Sequence, residues 1–193
     1  MQRQWMKVAG LVIGGTVMGT ACASSKSTTP SVRPEQPATV FVGGANVVQT
    51  VRTEAPRIVS RGIPRPPREV WLTVKQVYVD YQVPLTVDDA VAMTLGNQDF
   101  YRSQRFAGKR MPELVNCGSG MTGPNAASYR IYMSLLTNIT DDGRGGSVLN
   151  TTLQASARDL VGPSASDRIP CASSGELERT LQTRVATLMG IAP

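Results

Sequence analysis

Two long stretches of the chain alternate apolar and polar residues with the two-residue period of a half-buried strand. Residues 128–140 set Tyr129, Ile131, Met133 and Leu135 against Arg130, Tyr132 and Ser134. Residues 147–158 set Leu149, Thr151, Leu153, Ala155 and Ala157 against Val148, Asn150, Thr152 and Gln154. Between them lies Asp141-Asp142-Gly143-Arg144-Gly145-Gly146, whose glycines and aspartates supply turn chemistry. The pair predicts a β-hairpin with one apolar face, and with Asn138, Asn150, Thr152 and Gln154 facing water.

Elsewhere the period changes. Val70, Trp71, Val74, Val77, Tyr78 and Tyr81 recur every three or four residues behind Pro66-Pro67, which predicts a helix over 68–81 with Trp71 and Tyr78 as core anchors. Leu177, Leu181, Val185 and Leu188 repeat in the same way. Ser173 and Glu176 read as a capping box before them and Gly190 as the stop after them. Shorter segments complete the picture. Residues 39–53 read as a Val-rich strand pair or edge strand broken at Gly43-Gly44, 55–67 as an Arg/Pro-rich linker, and 83–87 and 100–106 as strands. Asp88-Asp89 reads as a turn or cap, because neighbours on a strand point to opposite faces and cannot converge on one substrate. These elements predict an α+β domain over 69–193, an antiparallel sheet packed on a C-terminal helix.

The N-terminus has a different character. Arg3 and Lys7 precede an apolar run over 8–18, shorter than the roughly 20 residues that span a bilayer as a helix. Small residues Gly19, Thr20 and Ala21 then lead into Cys22, so 1–21 reads as a secretory signal. Residues 23–38 (ASSKSTTPSVRPEQPA) are rich in Ser, Thr and Pro with no apolar period, the composition of a disordered tether.

Composition narrows the chemistry. The 193 residues include no His, which excludes Ser-His-Asp and Cys-His nucleophile systems, zincin motifs and His-ligated haem. A net charge of +6 rests on 20 Lys and Arg that are spread along the chain, with few aromatics between them, so nucleic acid is not an expected partner. Gly118-Ser119-Gly120-Met121-Thr122-Gly123 matches G-x-G-x-x-G by letter. It is followed by Pro124 and a β pattern instead of a helix, and it reads as a Gly-rich loop. No cofactor, metal or catalytic residue is expected. Arg130 and Glu113 are the candidate polar groups for the alternative of a periplasmic small-ligand binder or a His-free enzyme.

Three cysteines remain to be placed. Cys117 and Cys171 form an even pair in an exported chain and predict a disulfide. Met18-Gly19-Thr20-Ala21-Cys22 resembles the lipobox of bacterial lipoproteins, with Gly19 where Leu is usual; Ala21-Cys22-Ala23 also fits ordinary signal cleavage. The lipoprotein resemblance implies that Cys22 carries lipid. With Ala23 in place of Asp after it, it also implies an outer-membrane location facing the periplasm, 22–68 serving as tether and linker. The order of elements in 69–189 resembles the helix-grip domains of BamC-type outer-membrane lipoproteins. The lipobox-like signal, the tether and the lack of a catalytic constellation together lead to the expectation of a non-enzymatic accessory or scaffold role, in which the domain binds another envelope protein and the lipid binds the membrane.

Overall fold

A computed structural model describes residues 56–160 and 168–192. The signal, Cys22, the tether and the strand expected over 39–53 lie outside them. In chain order the elements are β1 (Ile58–Ile63), α1 (Pro67–Asp80), β2 (Val87–Asp89), β3 (Thr94–Arg102), β4 (Arg105–Phe106), β5 (Lys109–Arg110), α2 (Met111–Leu114) and β6 (Val115–Asn116). They continue with β7 (Ser119–Gly120), β8 (Gly123–Pro124), α3 (Asn125–Ser128), β9 (Arg130–Asp141), β10 (Ser147–Arg158), β11 (Arg168–Ser173) and α4 (Glu176–Leu188). The fold is α+β. A seven-stranded antiparallel sheet runs β2-β3-β9-β10-β11-β6, with β1 also pairing β10, and α4 packs on it.

The predicted hairpin is the centre of the sheet. β9 and β10 pair from Asp141↔Ser147 to Arg130↔Arg158, one continuous register over 12 residues of each strand. The turn holds that register. Asp142 Oδ1 accepts from the backbone N–H of Arg144 and of Gly146, both at 2.8 Å, and these donors keep its carboxyl below the usual range. Gly143 and Gly145 take the left-handed conformation that the path requires, with φ of 72° and 85°.

Alternation then sorts the side chains. Ile131, Met133, Leu135, Ile139, Leu149, Leu153 and Ala157 are buried on the inner face, together with Thr137 and Thr151. Helix α1 contributes Val70, Val74, Val77 and Tyr78, and α4 contributes Leu177, Leu181, Val185 and Ala186. Each fully buried Leu in such a face stabilises the fold by about 1.5–3 kcal/mol. A buried polar chain crosses this core. Tyr78 Oη bonds the Leu135 carbonyl at 3.2 Å and Thr137 Oγ1 at 3.1 Å, and Thr137 Oγ1 lies 3.5 Å from Thr151 Oγ1. Gln182 Nε2 donates to the Val59 carbonyl at 2.7 Å, to the Leu149 carbonyl at 3.1 Å and to Thr151 Oγ1 at 3.4 Å.

The disulfide is present, with Cys117 and Cys171 joined at 2.05 Å. β11 pairs β6 through Ala172↔Asn116, so the next position in register sets the two cysteines opposite each other, Cα atoms 4.2 Å apart. The crosslink closes a loop of 54 residues, worth about 4 kcal/mol in the chain-entropy picture.

Several local expectations need correction. The segment read as a linker over 55–67 contributes β1, whose pairing with β10 runs from Ile58↔Thr152 to Ile63↔Ser147. Its four prolines, Pro56, Pro64, Pro66 and Pro67, flank the β-branched run without interrupting it. The folded domain therefore includes residues before the boundary at 69. The strand expected over 83–87 is displaced to β2, and the one over 100–106 is the end of β3, followed by the separate β4. Pro84 has no N–H to give a ladder. Ser173 and Glu176 do not form a capping box. Gly175 is the N-cap, Ser173 Oγ donates to Glu178 Oε1 at 2.7 Å, and Glu176 pairs with Lys109 at 2.7 Å and Arg179 at 3.1 Å. Leu188 is exposed and Trp71 only half-buried, with Lys75 Nζ 4.4 Å from its ring centre. Asp88 and Asp89, read as a turn or cap, are strand residues of β2, where Asp88 pairs with Lys75 at 2.6 Å; only Asp89, at the strand end, caps the following turn, its Oδ1 accepting from the N–H of Val91 and Ala92 at 2.9 Å.

Glu178 is fully buried on α4, and burial raises its carboxyl above the usual range. An acid whose folded pKa is raised contributes stability below its unfolded pKa and loses it as pH rises through the folded one. Glu178→Gln keeps the acceptor for Ser173 and removes the buried charge. The variant is expected to unfold at higher urea than the parent at pH 7, with the difference closing as pH falls to about 4. Urea titrations at the two pH values check it; equal midpoints at pH 7 would count against a strained carboxylate there.

Candidate anion-binding corner

With α1 and α4 covering the inner face, the outer face of the same sheet carries two recesses. One, of about 650 Å³, is lined by Ile58, Thr94, Leu136, Asn138, Asn150 and Thr152. The other, of about 230 Å³, is lined by Gln98, Asp99, Tyr132, Gln154, Ser156 and Arg168 among others. The polar residues that the alternation assigned to the outer face of the hairpin, Asn138, Asn150, Thr152 and Gln154, thus line these recesses.

The smaller recess lies beside a row of arginines fixed by strand register. Arg130 of β9 faces Arg158 of β10, and Arg158 faces Arg168 of β11. Directly opposed residues of antiparallel strands share a face, and like charges so placed destabilise the pairing. Aromatic rings offset this. Tyr101 faces Tyr132 in the next row, ring centres 6.2 Å apart. The Arg130 guanidinium carbon lies 4.7 Å from the Tyr101 ring centre, and that of Arg168 lies 3.7 Å from the Tyr132 ring centre. A guanidinium lying on a ring keeps its N–H edge for an anion. The Tyr132 phenol is held below its ordinary value, first by the hydrogen bond from Arg130 and then by the charge of Arg130 and a bond from Arg158.

A bulge completes the corner. Between Asn97↔Leu135 and Phe100↔Met133 two β3 residues, Gln98 and Asp99, stand opposite the single Ser134. Buried Asn97 holds this detour. Its Nδ2 donates to the Pro84 carbonyl, and its Oδ1 accepts from the N–H of Asp99 at 2.8 Å. Asp99 thereby reaches Arg168 at 3.9 Å. Just before the bulge, Gly96 admits no side chain, since a Cβ there would collide with the Leu135 carbonyl oxygen.

No model of a known protein family matches this chain, and no curated protein matches it either.

Of the residues singled out from sequence, Cys117 and Cys171 are brought together and Cys22 lies outside the described residues. Arg130 belongs to the corner. Glu113 lines neither recess; it pairs with Arg110 at 2.7 Å, which lowers its pKa. Gly118–Gly123 spans the short β7 and β8 ladder, with Met121 fully exposed at its tip. Arg158 and Arg168 were not anticipated. The Arg130↔Arg158 pair follows by counting back from the turn. Arg168 does not, because β11 is a short Pro-containing strand with no clean alternation.

The corner makes a spectroscopic prediction. Arg130→Gln should return the Tyr132 phenol toward about 10, the ordinary value. Following the Tyr132 ring resonances by NMR between pH 8 and 12 checks this, and an unchanged titration would show that Arg130 does not act on the phenol.

Proposed function

We propose that this protein is a lipid-anchored accessory protein of the bacterial cell envelope, non-enzymatic, whose domain binds an acidic envelope component through the outer face of its sheet. The lipobox-like sequence ending at Cys22 supports the anchor, and the Ser/Thr/Pro-rich residues after it suit a tether that lets the domain stand off the membrane. An outer-membrane location facing the periplasm goes with Ala23. The disulfide is in keeping with export, since such bonds persist in oxidising compartments.

One observation carries the binding role: three arginines aligned across β9, β10 and β11 on a face that neither α1 nor α4 covers. Like charges in one cross-strand row lower fold stability. An acidic partner docking on this face would add opposite charge along the row. The partner's charge would be complementary and its binding weakened by salt.

Metabolic labelling with palmitate tests the anchor. The parent chain is expected to be labelled and to sediment with membranes, and Cys22→Ser to be unlabelled and released to the soluble fraction. A parent chain that stays unlabelled and soluble would contradict the proposal.

A further inference from the structure

The larger recess of the outer face differs in chemistry from the arginine corner. We infer that it is a site for a neutral sugar chain, in which Asn138 and Asn150 read two adjacent ring hydroxyls. The inference goes beyond the acidic partner proposed above and uses none of the arginines.

Strand register builds the site as two neighbouring cross-strand rows. Ser60 of β1, Asn150 of β10, Asn138 of β9 and Thr94 of β3 stand in one row. Ile58, Thr152, Leu136 and Gly96 stand in the next, two residues along each strand and so on the same face. All of these except Gly96 line the recess, and none is charged. A phosphate, carboxylate or ammonium group would lose hydration here with no opposite charge to replace it. At about 650 Å³ the recess falls within the roughly 300–1,000 Å³ of small-molecule sites.

The two asparagines are preset in opposite senses. Asn138 Nδ2 donates to the Ala92 carbonyl at 3.1 Å and to Thr94 Oγ1 at 2.9 Å. Both of its hydrogens are used, and its Oδ1 remains as an acceptor. Asn150 is held the other way, its Oδ1 accepting from Ser60 Oγ at 2.7 Å, which leaves its Nδ2 as a donor. One side-chain amide thus offers N–H and its cross-strand neighbour offers C=O, their Cβ atoms about 5 Å apart. Because neighbours fix both orientations, little ordering cost remains for binding.

This pair selects among neutral ligands. A hydroxyl both donates and accepts, so two hydroxyls on neighbouring ring carbons take one contact each. A trans peptide or acetamido group points its N–H and C=O to opposite sides, and its two partners must stand farther apart than neighbouring strands set these. Thr152 adds a third polar contact. Ile58, 64% exposed, and Leu136 give the recess an apolar floor that suits the C–H face of a sugar ring.

The test uses the full chain carrying Cys22→Ser. Cellobiose is titrated at low and high salt while the side-chain NH2 resonances of Asn138 and Asn150 are followed by NMR. Saturable shifts of both are expected, with the same affinity at either salt because no charge takes part. An acidic partner on the arginine row would bind more weakly at high salt, so the failure of that reading and of this one are told apart. Fully O-methylated cellobiose keeps the ring shape without an O–H donor and should bind at least about fivefold more weakly, as expected for a lost hydrogen bond. N-acetylglycinamide, an amide probe, should give no saturable shift. Asn150→Asp keeps the oxygen that accepts from Ser60 and replaces the donor with an acceptor. Read at Asn138, it should weaken cellobiose about fivefold, with the urea midpoint unchanged. Ser60→Ala keeps the donor but frees the amide to turn, and should weaken binding by about twofold. Absence of saturable shifts, affinity that falls with salt, O-methylated cellobiose or N-acetylglycinamide binding as tightly as cellobiose, or an Asn150→Asp variant that binds like the parent would overturn the inference.

Discussion

Tyr78, Thr137, Thr151 and Gln182 can be buried together only because each hydrogen has an acceptor, and satisfying them all leaves one direction of donation. Tyr78 O–H goes to the Leu135 carbonyl, so Thr137 must donate to the phenol oxygen, Thr151 to Thr137, and Gln182 to Thr151. The chain starts on α4, crosses both central strands and ends on α1. It also ties down the edge of the sheet, since the Gln182 amide holds the Val59 carbonyl of β1. A buried donor or acceptor left unmade costs about 1–3 kcal/mol, so rotating either helix about its axis, or slipping the hairpin by one residue, is penalised at several atoms at once. Apolar packing drives the helices onto the sheet; this chain fixes where they stop. Burial pushes the Tyr78 phenol well above its ordinary value, so the network stays neutral across the physiological range.

Fixing the inner face defines the outer one. Once the hairpin register places Thr137 and Thr151 inward, alternation places Arg130, Tyr132, Gln154 and Arg158 outward. The Gln98-Asp99 bulge and the disulfide-clipped β11 then bring Asp99 and Arg168 to them. Stability and the proposed binding role are thus divided between the two sides of one sheet. Helix α4 and the core hold the architecture, while the like-charged row, unfavourable for pairing, is tolerated on a scaffold fastened by the Cys117–Cys171 bond.

Much of this was legible in the chain itself. The period of two around a glycine-rich turn gave the hairpin. The period of 3.6 gave both long helices, and the cysteine count gave the disulfide. What failed were places where tertiary context overrides local signal. Ile58–Ile63 looked like linker because prolines bracket it, and its strand character comes from pairing with β10. Ser173 and Glu176 fit the spacing of a capping box, yet Lys109 and Arg179 claim the glutamate and Glu178 claims the serine. The arginine corner was hidden for a further reason. It joins residues from four strands, and Arg168 enters it only through a pairing that no local period announces.

A double-mutant cycle on Tyr78→Phe and Gln182→Leu, read by urea unfolding, tests the organising role of the buried chain most directly. Each single change is expected to lower stability by about 1–3 kcal/mol. Because one direction of donation runs through both ends, the double variant should depart from additivity by about 0.5–2 kcal/mol although the two residues do not touch. Losses that add to within about 0.3 kcal/mol would mean that α1 and α4 are held by separate local bonds, and the account of a single chain setting both would be wrong.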